Sequence, residues 1–182
     1  MEAPRRHTLK PPVSAEDWTR GPAEARVTLV EYLDFQCPCC HGSFPAVERV
    51  LEELGDRVRY VVREFPIPSA HPHAEGAARA AEAAGRQGRF WEMYRLLLEL
   101  RGRVGPPELE SCARELDLDL ARFHADVAGD EVQARIRESK HWGLRSGVNG
   151  TPTLFVNGVR YEEAACPVQA AELQAALLAA GG

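Results

Sequence analysis

The hydrophobic positions of the chain begin with a nearly continuous apolar run at residues 27–35 (VTLVEYLDF), interrupted by the ionisable Glu31. Such a run of β-branched and apolar residues is typical of a strand buried on both faces. A helical segment follows to about Gly55, and residues 58–65 (VRYVVREF) predict a second strand. Because consecutive strand, helix and strand normally form a parallel unit, we predict that these two strands pair in parallel.

Residues 67–146 carry apolar positions at helical spacing and no strand signal. Their successive segments predict helices with the sequences AEGAARAAEAAG, GRFWEMYRLLLELR, PPELESCARELDL, LARFHADVAG and DEVQARIRESKHWGLRSG. Strand signals return at residues 153–156 and 159–161. The Asn157-Gly158 pair between them is a strong signal for a two-residue hairpin.

The two ends of the chain complete this order of elements. A last amphipathic helix is predicted at about residues 168–179, whereas residues 1–25 are Pro-rich and polar and predict an irregular lead-in. The order is therefore βαβ, a helical block, then ββα. It predicts the α/β fold class.

Composition and charge narrow the function. The chain has 182 residues, 45% of them hydrophobic, and a net charge of -5, which disfavours a nucleic-acid partner. No apolar run approaches the roughly 20 residues that span a bilayer, so no membrane segment is expected. The N-terminus has arginines but no apolar stretch of the kind a signal peptide needs. We therefore expect a cytosolic protein, or a periplasmic or secreted one if a leader was removed.

Three of the five cysteines fall within four positions, at Cys37, Cys39 and Cys40. Pro38 suits the first position of a helix, which makes Cys37 the expected N-cap. There the helix dipole and free backbone N–H groups favour a thiolate. Cys40, three residues on, shares a helical face with Cys37 and can reach it for a disulfide. We predict Cys37 as the nucleophile and Cys40 as the resolving thiol of a disulfide-exchange centre.

Other uses of the cysteines stay open at this point. Cys37, Cys39 and Cys40 could be soft ligands of a zinc- or Cu(I)-binding or metal-sensing module. A tetrahedral zinc site needs further ligands, and Cys112 and Cys166 stand alone in the sequence. A disulfide between those two is open and unsupported. We expect no metal, and no cofactor other than a redox-active Cys37–Cys40 disulfide.

The segments EYLDFQCPCC and GVNGTPTLFVNG, with a long helical insert between them, resemble the DsbA-like thiol–disulfide oxidoreductases of the thioredoxin superfamily. The similarity runs from about residue 12 to about residue 180. It implies a thioredoxin fold with an inserted all-helical domain. On that basis residues 26–66 and 147–182 form a discontinuous thioredoxin-like domain, and residues 67–146 form the insert.

The resemblance also implies roles for single residues. Pro152 matches the family's cis-proline opposite the cysteines, so the backbone of Thr151 would pair with an extended substrate peptide. Glu31 matches a buried acid beneath the active site, which would carry the proton of the resolving thiol. The residues alone leave open a solvent-facing Glu31. His71 and His73 are candidates for lining the groove beside the site.

The chain departs from the family at the dipeptide between the outer cysteines, which is Pro38-Cys39. Strong oxidants of the family usually carry Pro-His, whose imidazole helps to hold the thiolate. A thiol supplies no positive charge there, so we expect a less acidic Cys37. Cys39 is interpreted as a modulator, a site of glutathione capture, or a residue without a role.

The predicted function is disulfide exchange with protein or peptide thiols, followed by recycling through a redox partner. Whether the protein oxidises, reduces or isomerises stays open. We expect a monomer. No dimerisation domain precedes the predicted fold, which argues against an isomerase. A thioredoxin-fold peptide-binding chaperone without turnover is the remaining alternative.

Overall fold

A five-stranded sheet flanked by helices organises the protein, whose computed structural model describes residues 7–162 and 165–182. The strands are β1 (Trp18–Arg20), β2 (Val27–Leu33), β3 (Val58–Glu64), β4 (Thr153–Val156) and β5 (Val159–Arg160). The helices are α1 (Pro38–Leu54), α2 (Ala74–Gly85), α3 (Phe90–Glu99), α4 (Pro106–Glu115), α5 (Leu120–Ala128), α6 (Asp130–Arg145) and α7 (Ala170–Ala180).

The sheet has the strand order β1-β3-β2-β4-β5. β2 pairs in parallel with β3, as the strand–helix–strand order predicted, and antiparallel with β4. β4 and β5 form the predicted hairpin, with Val156 opposite Val159. Asn157 and Gly158 both have positive φ, which is the backbone of the favoured two-residue turn. The predicted α/β fold is confirmed.

The predicted irregular lead-in is wrong in one part, because it contains β1. This short strand pairs antiparallel with β3 at the edge of the sheet. Trp18 stacks on Phe90 of α3 with 4.4 Å between ring centroids, and its indole N–H donates to Glu82 of α2. Three residues are too few to show a strand period, so tertiary contacts decide this element. Residues 1–6 of the lead-in lie outside the described residues.

Helices α2 to α6 lie between β3 and β4 in the chain, and α2 is their centre. α2 packs against α3, α4, α5 and α6. Its alanines at 77, 80, 81 and 84 are fully buried. Their small side chains let the neighbouring helices pack closely against α2. One hydrophobic cluster joins these alanines to α1 and the sheet. The division at residues 67–146 stays a prediction.

The alternation of side chains along β2 places Glu31 beneath α1. Leu29 and Leu33 belong to the cluster under α1, whereas Val30 and Tyr32 pack on the opposite face of the sheet. Side chains two residues apart in a strand share a face, so Glu31 points with Leu29 and Leu33. β2 is buried on both faces, as its apolar run predicted.

Among the residues that the structure describes, no helix combines the length and the apolar character needed to cross a bilayer.

Candidate active site

The N-terminus of α1 presents the cysteine run. Cys37 is the N-cap with extended backbone angles, and Pro38 occupies the first helical turn. The Cys37 N–H donates to the Asp34 carbonyl at 3.0 Å, which holds the turn between β2 and α1. Cys40 points inward and is 2% exposed, while Cys37 is 7% exposed. Both are free thiols in this structure.

The environment of Cys37 favours its thiolate. A hydrogen bond from the Cys40 thiol is the largest cause, and it lowers the pKa of Cys37 from 9.0 to about 5 against the opposing effect of burial. Hydrogen bonds from the backbone of Cys39 and Cys40 lower the pKa further. Cys37 is therefore ionised at neutral pH. The expectation that Pro38-Cys39 leaves Cys37 less acidic than a Pro-His dipeptide would stays a prediction.

Cys40 is shifted in the opposite direction. Burial raises the pKa of the Cys40 thiol well above 9.0, and the thiol–thiolate contact with Cys37 and the charge of Glu31 add to the rise. The Asp34 N–H lies 3.5 Å from the Cys40 sulfur and donates to it. The pair thus combines a buried Cys37 whose thiolate is favoured and a more deeply buried Cys40 whose thiol is favoured.

Glu31 is buried under this pair, so the solvent-facing alternative is not what the structure shows. Its side chain is 3% exposed, and burial raises the pKa of the carboxyl from 4.5 to about 7. The Tyr60 hydroxyl donates to Glu31 Oε2, which opposes part of that rise. Tyr60 in turn lies 3.0 Å from the Tyr94 hydroxyl. A carboxyl with a pKa near neutrality beside a buried thiol can accept and return a proton.

The segment before β4 lies across from Cys37. The Thr151–Pro152 bond is cis. In the thiol form Cys37 Sγ donates to the Thr151 carbonyl at 3.3 Å. A thiolate has no proton to donate, so ionisation of Cys37 removes this hydrogen bond.

His71 and His73 occupy different positions relative to the site. His71 Nδ1 lies 2.8 Å from Oδ2 of Asp34, a carboxylate that is 1% exposed. His73 meets the site through its backbone N–H, which donates to the Gln36 side chain at 2.7 Å. His71 therefore contacts the carboxylate that holds the α1 turn, whereas the His73 side chain is exposed.

Asp34 and His41 also lie at the cysteine run, and neither is among the residues predicted from the sequence. Asp34 accepts hydrogen bonds from the N–H groups of Gln36 and Ile67, at 2.8 and 2.9 Å, so it fastens the α1 turn to the segment after β3. A polar residue at the end of a buried strand was the available signal. His41 follows the cysteine run, and burial lowers its pKa while the Cys37 charge opposes this.

Cys39 forms a disulfide with Cys166, with 5.4 Å between the two Cα atoms. The open pairing of Cys112 with Cys166 is therefore not formed, and Cys112 is a buried free thiol. A separation of 127 residues leaves no trace in local sequence patterns. The bond also removes Cys39 as a ligand from the soft-metal alternative. Within the described residues no group of three His, Cys, Asp or Glu could hold a metal ion.

A family model described as Thioredoxin matches residues 14–178. The chain belongs to this family. A thioredoxin-like oxidoreductase from Silicibacter pomeroyi DSS-3 is 30% identical, with a TM-score of 0.81 over 92% of this chain and 93% of that one. The thiol-disulfide exchange protein alpha-DsbA2 from Wolbachia pipientis is 18% identical, with a TM-score of 0.76 over 88% and 85% of the two chains. The resemblance to DsbA-like members of the thioredoxin superfamily is confirmed.

Longer proteins contain a segment similar to this thioredoxin-family chain. The Na(+)/H(+) antiporter NhaA 1 of Salinispora arenicola is 49% identical over 145 residues, which are 80% of this chain and 22% of the antiporter. The chain thus spans about a quarter or less of the length of the first curated relatives it matches.

The prediction of a cytosolic location is wrong. A solved structure described as a periplasmic thioredoxin-like protein from Salmonella enterica serovar Typhimurium matches this family member with a TM-score of 0.74 and 18% identity, over 91% of this chain and 90% of that one.

Proposed function

We propose that this protein is a thiol–disulfide oxidoreductase that exchanges disulfides with protein or peptide thiols. The observation that carries the proposal is the opposite tuning of two adjacent thiols. The pKa of Cys37 is lowered to about 5, and the pKa of Cys40 is raised well above 9.0. An attacking thiolate and a protected resolving thiol are the two parts that exchange requires.

The proposed reaction has two steps. In the reducing direction the Cys37 thiolate attacks one sulfur of a substrate disulfide, forms a mixed disulfide, and expels the other substrate sulfur as a thiolate. Cys40 then passes its proton to Glu31, and its thiolate attacks Cys37. This forms the Cys37–Cys40 disulfide and releases the reduced substrate. The oxidising direction is the reverse, and a redox partner restores the starting state.

Thr151 is proposed to align the substrate. Its carbonyl faces Cys37 at 3.3 Å from the sulfur, so a peptide whose backbone N–H donates to this carbonyl would hold its own sulfur near Cys37. The periplasm, or another oxidising compartment, is the proposed setting, because the Cys39–Cys166 disulfide persists there more readily than in a reducing cytosol.

Trapping of the mixed disulfide tests the proposal. Cys40→Ser should accumulate a covalent complex with a disulfide-containing peptide, visible as a mass increase under non-reducing conditions. Cys37→Ser should form none. Cys112→Ser removes a thiol of similar burial and is the matched control, which should behave as the unchanged chain.

Two outcomes would contradict the proposal. If Cys40→Ser binds the peptide without a covalent bond, the chaperone alternative is favoured. If the reduced chain retains one equivalent of zinc or copper after dialysis, the metal-binding alternative is favoured, because reduction frees Cys39 to act as a ligand.

A further inference from the structure

A second pair of sulfurs lies beside Cys37 and Cys40 and takes no part in the reaction described above. We propose that the Cys39–Cys166 disulfide is a second redox centre, which exchanges its oxidation state internally with the Cys37–Cys40 pair. The inference rests on the proposed function, because it uses the same nucleophile. It adds a route by which electrons pass between the buried pair and the protein surface.

A dithiol and one end of a disulfide lie in the same helical turn. Cys39 lies between Cys37 and Cys40 at the start of α1. Cys37 and Cys40 are free thiols, while Cys39 is bonded to Cys166. Both reactants of an internal exchange are therefore present in the same chain, and no external oxidant is needed for the transfer.

The two pairs of cysteines differ in their exposure to solvent. Cys37 and Cys40 are buried, whereas Cys39 is half-buried and Cys166 is exposed. The rate of thiol–disulfide exchange depends on access to the sulfur that is attacked. A bulky redox partner would therefore reach Cys166 more readily than Cys40.

The segment that carries Cys166 also contacts α1 through groups other than the disulfide. The Val168 N–H donates to Ser43 Oγ at 2.9 Å, and this hydroxyl lies 2.7 Å from the Cys39 carbonyl, to which it donates. Pro167 packs against α1 at Gly42, where an added Cβ would lie 3.5 Å from the proline side chain. These contacts keep Cys166 beside the start of α1 when the disulfide opens.

The proposed transfer balances in sulfur bonds and protons. The Cys37 thiolate attacks Sγ of Cys166, so a Cys37–Cys166 bond forms, the Cys39–Cys166 bond breaks, and Cys39 leaves as a thiolate. The Cys40 thiolate, after its proton passes to Glu31, then attacks Cys37. A Cys37–Cys40 bond forms, and Cys166 leaves as a thiolate. The inner pair is oxidised by two electrons, and the outer pair is reduced by two.

Cys166 is the sulfur under attack because direct bonds within the run are disfavoured. One residue separates Cys37 from Cys39, and none separates Cys39 from Cys40. Disulfides across so few residues deviate from the preferred geometry and are strained. Attack on Cys166 joins two segments instead, and it leaves Cys39 as the departing thiolate.

The test asks whether Cys37 and Cys166 can bond. In the full chain carrying Cys39→Ser, Cys40→Ser and Cys112→Ser, these two are the remaining cysteines. Oxidised glutathione at pH 8 should give a Cys37–Cys166 disulfide in the majority of chains, identified by mass spectrometry of the non-reduced digest. The control carries Cys37→Ser, Cys39→Ser and Cys112→Ser and leaves the buried Cys40 with Cys166. It should give at least ten-fold less linked peptide.

The proposal is overturned if the first chain yields glutathione adducts on Cys37 and Cys166 and no linked peptide. Should the triple variant fail to fold, the wild-type chain answers the same question. Fully oxidised protein treated with one equivalent of dithiothreitol and alkylated at increasing times should first show reduction of the exposed Cys39–Cys166 pair. That isomer should then convert to the one reduced at Cys37–Cys40 after the dithiothreitol is consumed. Isomer proportions that stay constant from that point would refute exchange between the pairs. Trapping of substrate by Cys40→Ser, without a Cys37–Cys166 bond, would remove this inference and leave the proposed function intact.

Discussion

Replacing Glu31 by Gln keeps the size of the side chain and removes its charge, so it isolates the effect of burying a carboxylate under the active site. The amide oxygen can still accept the hydrogen bond that the Tyr60 hydroxyl donates to Glu31. Burial raises the pKa of Glu31 from 4.5 to about 7 in the folded protein. At about 1.4 kcal/mol per pKa unit, a shift of that order is worth roughly 3 kcal/mol.

The direction in which stability changes with pH follows from how tightly the folded and unfolded states bind the Glu31 proton. The folded protein holds the Glu31 proton more tightly than the unfolded chain, so the stability it contributes is complete below pH 4.5. That contribution is lost as the pH rises through 7. The amide introduced by the substitution does not titrate. The free energy of unfolding of Glu31→Gln should therefore increase relative to wild type by about 2 to 3 kcal/mol between pH 5 and pH 9.

Urea unfolding at pH 5, 7 and 9 measures this difference. Both chains should carry Cys37→Ser. The lowered pKa of Cys37 makes the folded state more stable as the pH rises above 5, which is opposite to the effect of Glu31. A difference between Glu31→Gln and its parent that stays constant from pH 5 to pH 9 would refute the raised pKa. With Cys37 intact, Glu31→Gln should also slow the resolving step, and an unchanged rate from pH 6 to pH 8 would exclude Glu31 as the proton carrier.

Three further perturbations test neighbouring groups. Alkylation of the reduced chain by iodoacetamide should titrate Cys37 with a midpoint near pH 5 while Cys40 stays unmodified, and a midpoint above pH 8 would contradict its lowered pKa. Tyr60→Phe removes a hydrogen bond that lowers the pKa of Glu31, so the pH profile of the resolving step should move to higher pH, and an unmoved profile would show that the hydroxyl does not govern the carboxyl. Asp34→Ala deprives two backbone N–H groups of their acceptor and should cost about 2 to 4 kcal/mol in urea unfolding; a cost under about 0.5 kcal/mol would mean that water replaces the carboxylate.

Local patterns in the sequence predict the elements that position the site. The apolar run of β2 and the proline after Cys37 indicate a buried strand that ends at a helix N-terminus. The Asn157-Gly158 pair indicates the β4–β5 hairpin, because these residue types readily adopt the positive φ angles that both show in the structure. These features are local because they depend on backbone preferences and on side-chain alternation over a few residues. The strand β1 is too short for such a pattern, and its pairing depends on β3 and α3.

Local sequence patterns are enough to place two thiols at the start of a helix after a buried strand and to assign their roles by position. The opposite shifts of their pKa values depend on the packing around α1, which buries Cys40 and brings it into contact with Cys37. The same holds for the partner of Cys39, which lies 127 residues away. Secondary structure and capping follow from neighbours in the chain, whereas pKa values and disulfide partners follow from neighbours in space.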